Sequence, residues 1–489
     1  MNEVTSTVLY YVLIFGILAA GFAYGYFFDV DYSCNSLECS VSAILKFSWF
    51  ATTQFLFMCV LGLVVYPATI KTKFDTIDAL VEQLKCAVCT RIVTRGTNPV
   101  LVRANTRRIV DLLTEHFGER VKWTVEVVTD NPIGLEIDDP AVVETNVPSD
   151  YKTEHNTLFK ARALNYAVHH GVKLNPADFI LHLDEESLID VRTLQGVLTH
   201  VNLNSRPEKL ADIAQGSITY APTEIQDTIH WITTFTDSIR VANDYGAFRI
   251  QYQMFNTVFI GMKGSFIVIR NDAECAIGWD HGAPVNITED AFFSLLAKDM
   301  GYRFQFIDAC VYELSPFRIG DLWKQRKRWI SGLWRVCKSP KLTIGTRIPL
   351  IFNMSMWSIS WVSLCTIVIS VSVPSNAARG LKIAFGMNMA LIIITYVMGF
   401  FLTRTPREWI NEIGVRGYLL ALTTQVVGIP LFTFIEGGAV IFWMVQAALD
   451  LCRDAPDQFE IVQKEKDEDR KYLQTEFDEP HRSHSHPPC

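Results

Sequence analysis

Long apolar runs at both ends of the chain, and a long middle stretch whose hydrophobic period keeps changing, constrain the fold more than any other feature. Residues 5–28 and 43–66 are almost uninterrupted apolar runs, each longer than the ~20 residues that cross a hydrocarbon core about 30 Å thick. Lipid leaves no partner for a bare peptide group, so such runs are expected to be helical. The first carries Glu3 and no basic residue before it, and a second run follows almost at once. It therefore reads as a retained span, not a cleaved signal. Further spans are expected at 347–373 and 381–402. The run 417–449 is interrupted by Pro430 and Gly437-Gly438 and carries Glu436. Its length exceeds one straight helix and falls short of two full spans, so it reads as two short or re-entrant helices packed on protein. Glu436 is either a carboxylate in a water-lined cavity or one paired structurally; the sequence leaves both open.

These boundaries divide the chain into an N-terminal membrane pair (1–66), a large domain with an interfacial helix (67–345), a C-terminal membrane unit (346–450) and an acidic tail (451–489). The positive-inside rule places Lys71, Lys73, Arg404, Arg407, Arg416, Arg453, Lys464 and Lys466 on one side, expected to be the cytosol. The loop 29–42 then faces the lumen, where Cys34 and Cys39 are either a disulfide or two free thiols. Cys86 and Cys89 have the spacing of half a zinc site, but no second pair follows, so they read as strand residues. The net charge of -8 offers no basic footprint for nucleic acid. The tail ends in a His-, Ser- and Pro-rich stretch expected to lack fixed structure, and Cys489 lies too close to the end for a prenylation signal.

Between residues 85 and 315, β-branched runs alternate with helical stretches, the pattern of an α/β domain with a mostly parallel sheet and crossover helices. Expected strands are Ala87–Thr94, ending in Thr94-Arg95-Gly96; Trp123–Thr129, ending at Asp130-Asn131-Pro132; and Phe179–Leu183, ending at Asp184. Ligands of such sheets gather at the carboxyl ends of the strands, so Thr94, Arg95, Asp130 and Asp184 sketch a nucleotide-sugar pocket. Phe159–Ala167 reads as a helix, with Lys160 and Arg162 either facing a diphosphate or solvated.

Asp184-Glu185-Glu186 places its first and third acids on one side. Hard oxygen donors at Asp184 and Glu186 suit Mg²⁺ or Mn²⁺ shared with a diphosphate, although such a cluster is by itself as readily a solvated turn. In Thr288-Glu289-Asp290, Thr288 is placed to cap a helix running through Leu296 and Lys298. Asp290 is then either an acid complementing the helix dipole or a general base for an acceptor hydroxyl. Gln325, Arg328 and Trp329 share one helical face. Arg328 suits bidentate grip of a diphosphate, and Trp329 offers a flat surface to a sugar ring. An interfacial helix with Lys324, Arg326 and Lys327 turned to anionic lipid also fits. The glycines of Gly261–Phe266 allow close backbone approach or merely a turn, and the aromatic stretch 230–255 reads as packing.

The ordered set Asp130, Lys160-Ala161-Arg162-Ala163-Leu164-Asn165, Asp184-Glu185-Glu186, Thr288-Glu289-Asp290 and Gln325-x-x-Arg328-Trp329 resembles family 2 inverting glycosyltransferases with a GT-A fold. The resemblance implies a divalent metal at Asp184 and Glu186, with Glu186 where the family carries a second Asp. It also implies Asp290 as catalytic base, a donor set of Thr94, Arg95, Asp130, Lys160, Arg162, Asp184, Gln325 and Arg328, and an acceptor set of Trp329, Glu289 and Gly261. At finer grain the chain resembles the egghead-type β-1,4-mannosyltransferases of invertebrates. That likeness implies mannose transfer from GDP-mannose to glucosylceramide at Golgi or endoplasmic reticulum membranes. The tail segment Phe459–Lys464 resembles the F-x-V-T-x-K gating motif of polymerising relatives, with Val462 at the Thr position. The alternatives are a processive polysaccharide synthase, a UDP-sugar lipid glycosyltransferase and, least in keeping with the motifs, a transporter or scaffold.

Overall fold

A computed structural model describes residues 3–28, 37, 50–68, 72–118, 120–205, 210–220, 228–372 and 378–453. The middle of the chain forms a seven-stranded sheet in the order β3-β2-β1-β4-β6-β5-β7. Its strands are β1 (Val88–Thr94), β2 (Trp123–Thr129), β3 (Val142–Asn146), β4 (Phe179–Asp184), β5 (Ile213–Tyr220), β6 (Ile267–Arg270) and β7 (Phe304–Glu313). The three expected strands lie where the β-branched runs place them. β1 is buried along its whole length, as a strand covered on both faces must be, which is why it reads as a continuous run and not an alternation. All pairings are parallel except those of β6, which runs antiparallel to β4 and β5. Register sets Thr94 opposite Thr129 and Val93 opposite Asp184, so the ends of β1, β2 and β4 emerge at one level.

One sheet face packs Ile92, Val125 and Leu181 against the helices Pro99–Phe117 and Val191–Asn204. The other packs Cys89, Val128 and Ile180 against Phe159–His170, Asn271–Ile277 and Glu289–Asp299. Cys89 is a strand residue as expected, whereas Cys86 lies in the bend that precedes β1, and burial raises both thiol pKa values. Within the sheet Arg91 bridges Glu126 at 2.8 Å and Glu274 at 2.9 Å. Burial opposes the charge on Glu274, but Arg91 and His182 outweigh it and hold the carboxyl down at about 2.

Three described helices are long and apolar enough to cross a membrane: Thr5–Phe27, Arg379–Thr403 and Ile429–Leu449. The helix Phe50–Val65 is the described part of the expected second span, and Ile344–Ser372, with Pro349 inside it, occupies the expected third. The region 417–449 is divided between two helices, as expected, but the break falls at Gly428: its first residues belong to Pro406–Val427, which is kinked at Gly414 (φ 72°), and Ile429–Arg453 then runs for 25 residues through Gly437-Gly438. The glycines there serve packing: a Cβ on Gly438 would stand 2.9 Å from the Trp323 ring. These helices share a core with Phe235 and Ala242 of the helix Thr228–Asn243, so the aromatic stretch is packing as read. Backbones meet closely at two crossings: a Cβ on Gly21 would lie 2.5 Å from Gly386 O, and one on Gly62 would lie 2.3 Å from Gly246 O. Small residues at such crossings permit close helix association. Cys34, Cys39, Lys71, Lys464, Lys466 and the tail from 454 lie outside the described residues.

Candidate active site

At the ends of β1 and β2 the chain turns sharply. Gly96 has φ 71° and would bring a Cβ within 2.4 Å of Asn131 O, so no side chain fits there. The Gly96 amide donates to Thr94 Oγ1 at 2.9 Å, and Asn131 Nδ2 donates to Arg95 O at 2.7 Å. Thr94 in turn donates to the Glu185 carboxylate. Arg162 bonds Asp130 Oδ1 at 2.5 Å and the Pro148 carbonyl at 3.0 Å. Thr94, Arg95, Asp130, Arg162 and the acidic cluster are therefore neighbours. Neither Lys160 nor Arg162 is the solvated alternative, because both turn their cations toward strand-end carboxylates.

The centre of the pocket is Lys160. Its ammonium pairs with Asp184 and donates to Gly264 O at 2.9 Å. Asp290 and Lys160 both approach the open face of Gly264: a Cβ on this glycine would lie 3.2 Å from Asp290 Oδ2 and 3.4 Å from Lys160 Nζ. Burial raises the pKa of both Glu289 and Asp290, the negative charge of Asp290 adds to the rise at Glu289 and that of Asp184 to the rise at both, and Lys160 opposes it. A carboxyl poised above its usual range, facing a cation and a bare glycine, is arranged for proton uptake. Two bulky residues take left-handed backbone here, Phe159 and Phe266, each at φ 55°. Such strain costs of order 1–3 kcal/mol and gathers at functional sites; here it flanks Lys160 and the Gly264-Ser265 turn.

Asp290 opens the helix Glu289–Asp299, and its Oδ1 accepts from the Ala291 amide at 2.8 Å. Thr288 does not supply the expected cap. Its hydroxyl is buried without a hydrogen bond, because the helix Ile319–Lys338 presses on it: a Cβ on Gly332 would lie 2.6 Å from Thr288 Cγ2. Gly261, at φ 101°, is pressed against Ala291, the residue that follows Asp290.

Gln325, Arg328 and Trp329 lie on that pressing helix, with Gln325 buried. Arg326 corrects the lipid-facing expectation: it is 2% exposed and pairs with Asp237 and Glu436. Glu436 is accordingly the paired, structural alternative. The guanidinium carbons of Arg240 and Arg326 stand 4.3 and 4.7 Å from the centroid of the Trp329 ring, so cations already occupy part of the surface expected to meet a sugar. Lys324 remains largely in solvent, paired with Asp321 at 3.1 Å.

Among the described residues no three His, Cys, Asp or Glu side chains gather to hold a metal ion. The donor set nevertheless fits one. A Mg²⁺-type ion commonly takes one or two carboxylates and completes its shell with phosphate and water, and Asp184 keeps a third of its side chain exposed at the pocket. Lys160 occupies the same carboxylate and competes for it.

Several residues here escaped sequence reading. Ser187 bonds both Ser265, at 2.7 Å, and Glu313, at 2.8 Å, and so locks the acidic turn to the Gly264 turn. Asp237 is the buried counter-ion of Arg326. A lone acid ending a long strand was the available signal for Glu313; Asp237 carried none.

The family described as glycosyl transferase family group 2 matches residues 179–403. The β-1,4-mannosyltransferase bre-3 of Caenorhabditis elegans is 34% identical over 394 residues, spanning 78% of this chain and 81% of that one. The β-1,4-mannosyltransferase egh of Drosophila melanogaster is 32% identical over 359 residues, spanning 73% and 75%. A solved structure of S. aureus TarS 1-349 with UDP overlays with a TM-score of only 0.30 at 12% identity, covering 78% of this chain and 95% of that one, too low to argue from. The order of motifs, their convergence at one end of the sheet and these identities together establish that the chain is a glycosyltransferase of family 2, belonging with the bre-3 and egh proteins.

Proposed function

We propose that this enzyme transfers mannose from GDP-mannose, in β-1,4 linkage, to glucosylceramide. The observation that supports the mechanism is the half-buried Asp290, set beside Lys160 on the open face of Gly264 at the carboxyl end of the sheet. The mannosyl identity leans on the relatives' names, and the lipid acceptor on the helix Ile319–Lys338 leading straight into the apolar helix Ile344–Ser372.

In this reading Asp130, Thr94, Arg95 and Arg162 hold the nucleotide, while Lys160, Arg328 and Gln325 meet the diphosphate. Asp290 removes the proton of the acceptor hydroxyl as that oxygen bonds the anomeric carbon. The bond from that carbon to the diphosphate breaks, its electrons leave with GDP, and a single displacement inverts the centre. A divalent ion on Asp184 and Glu186 would supply neutralisation of the departing diphosphate charge. Glu289 and Trp329 border the acceptor side, and Gly261 supports it. The apolar helices hold the domain at a Golgi or endoplasmic reticulum membrane, facing the cytosol, so the acceptor arrives by diffusion in two dimensions.

The test is membranes containing the protein, with fluorescent glucosylceramide, Mn²⁺ or Mg²⁺, and GDP-mannose, UDP-glucose, UDP-N-acetylglucosamine or UDP-glucuronate in parallel. A single mannose added only from GDP-mannose supports the reading. A ladder of longer products would instead indicate a polysaccharide synthase, and transfer from a UDP-sugar a different donor.

A further inference from the structure

Arg326 lies inside the Gln325–Trp329 segment, yet it turns away from the pocket into a closed ionic cluster. Its Nη2 bonds Asp237 at 2.5 Å and Glu436 at 2.7 Å, and its Nε reaches both Glu436 oxygens at 3.1 Å. Its Nη1 donates to Gln325 Oε1 at 2.7 Å, and its guanidinium lies 4.7 Å from the Trp329 ring. Asp237 also accepts from Ser315 Oγ at 2.6 Å and lies 3.7 Å from Arg240, which itself stands against Trp329 and Tyr220 at 4.3 Å each. Two cations thus balance two carboxylates. Close by, Trp323 Nε1 donates to Ile435 O at 3.0 Å.

Burying such ions costs several kcal/mol apiece, and well-packed apolar residues would stabilise the fold at least as well. What a forked guanidinium provides instead is direction, since its donors match carboxylates in one orientation only. Glu436 sits on a helix of membrane-spanning length, where an acid needs a partner. We propose that Arg326, Asp237 and Glu436 are positioning residues: through Arg326 they hold Gln325 and Trp329 in place and fix the helix Ile319–Lys338 against the helix Ile429–Arg453. The proposal rests on the substrate-contacting roles given above to Gln325 and Trp329.

The test uses the full chain in lipid nanodiscs and three variants: Glu436→Gln removes charge at constant shape, while Glu436→Asp and Arg326→Lys keep it. Glu436→Gln is expected to lower kcat at least about tenfold, as misplacement of substrate-contacting groups does, with the donor KM held within about twofold. Hydrogen exchange should rise in peptides from 319–338 and 429–453 and stay unchanged in 88–94 and 123–129. Glu436→Asp should recover part of kcat. Wild-type kcat with unchanged exchange in Glu436→Gln would overturn the proposal. So would lost protection throughout the sheet, which marks a purely structural pair, or no gain from Glu436→Asp over Glu436→Gln. If the wild-type protein transfers no sugar, the functional reading fails by itself, and exchange in the two helices still decides the positioning role.

Discussion

In the proposed reaction Asp290 is the general base, and its surroundings then set a measurable pH dependence. Burial raises its pKa and Lys160 draws it down. A general base acts only when ionised, so kcat/KM should fall as pH drops through the raised value, above the ordinary Asp range near about 3.9. Lys160→Met should shift that acid limb further up, as pH-rate profiles of the two proteins would show. Asp290→Asn should cost roughly 10²–10⁴-fold in kcat while the protein still inserts and binds nucleotide. Gly264→Ala is a finer probe. Its methyl would crowd both Asp290 and Lys160, and displacements of that size cost roughly 10–100-fold in kcat. The places of Asp184 and Asp290 in the fold were legible in the sequence because one ends a strand and the other opens a helix, and that of Arg328 because its spacing from Gln325 is helical. That of Asp237 was not, since nothing local in a Thr- and Ile-rich helix marks one acid as the partner of residue 326. Arg326 was misread for the same reason: a basic run reads as solvated or lipid-facing until its distant carboxylates are placed.

Among the elements, β1, β2 and β4 were readable nearly to the residue, because full burial leaves a continuous apolar, largely β-branched run with a polar residue at its end. The helix Ile429–Arg453 was not, because whether Gly437-Gly438 breaks a helix depends on what lies beside it. Here Trp323 fills the gap and the helix continues. The cap at Thr288 failed for a similar reason, displaced by the close approach of Gly332. β1 is tied to β2 and to the helix Asn271–Ile277 by Arg91, Glu126 and Glu274. Arg91→Met leaves two carboxylates buried without their cation and should cost about 3–5 kcal/mol. Denaturant unfolding of the detergent-solubilised protein would measure it, and a loss below about 1 kcal/mol would show that the carboxylates take up protons instead.

At the scale of the whole molecule, the sheet and the apolar helices share their packing. Tyr245 touches all three hydrophobic clusters, and beside it Gly246 receives the helix Phe50–Val65 at Gly62. Gly62→Leu should therefore dislodge that helix from the domain, reducing the yield of folded protein and activity together, whereas Gly278→Ala, at a position with nothing within 4 Å but a positive φ, should act only through local backbone strain.

The contact between Gly21 and Gly386 also has a meaning in time. The first helix leaves the ribosome long before the helix Arg379–Thr403 that receives it, so, in the proposed membrane arrangement, it would wait in the bilayer for most of synthesis with its small-residue face uncovered. Assembly of the N-terminal helices can finish only when the last third of the chain has been made. A nascent chain halted before then would present that uncovered face to the machinery that disposes of orphaned membrane segments.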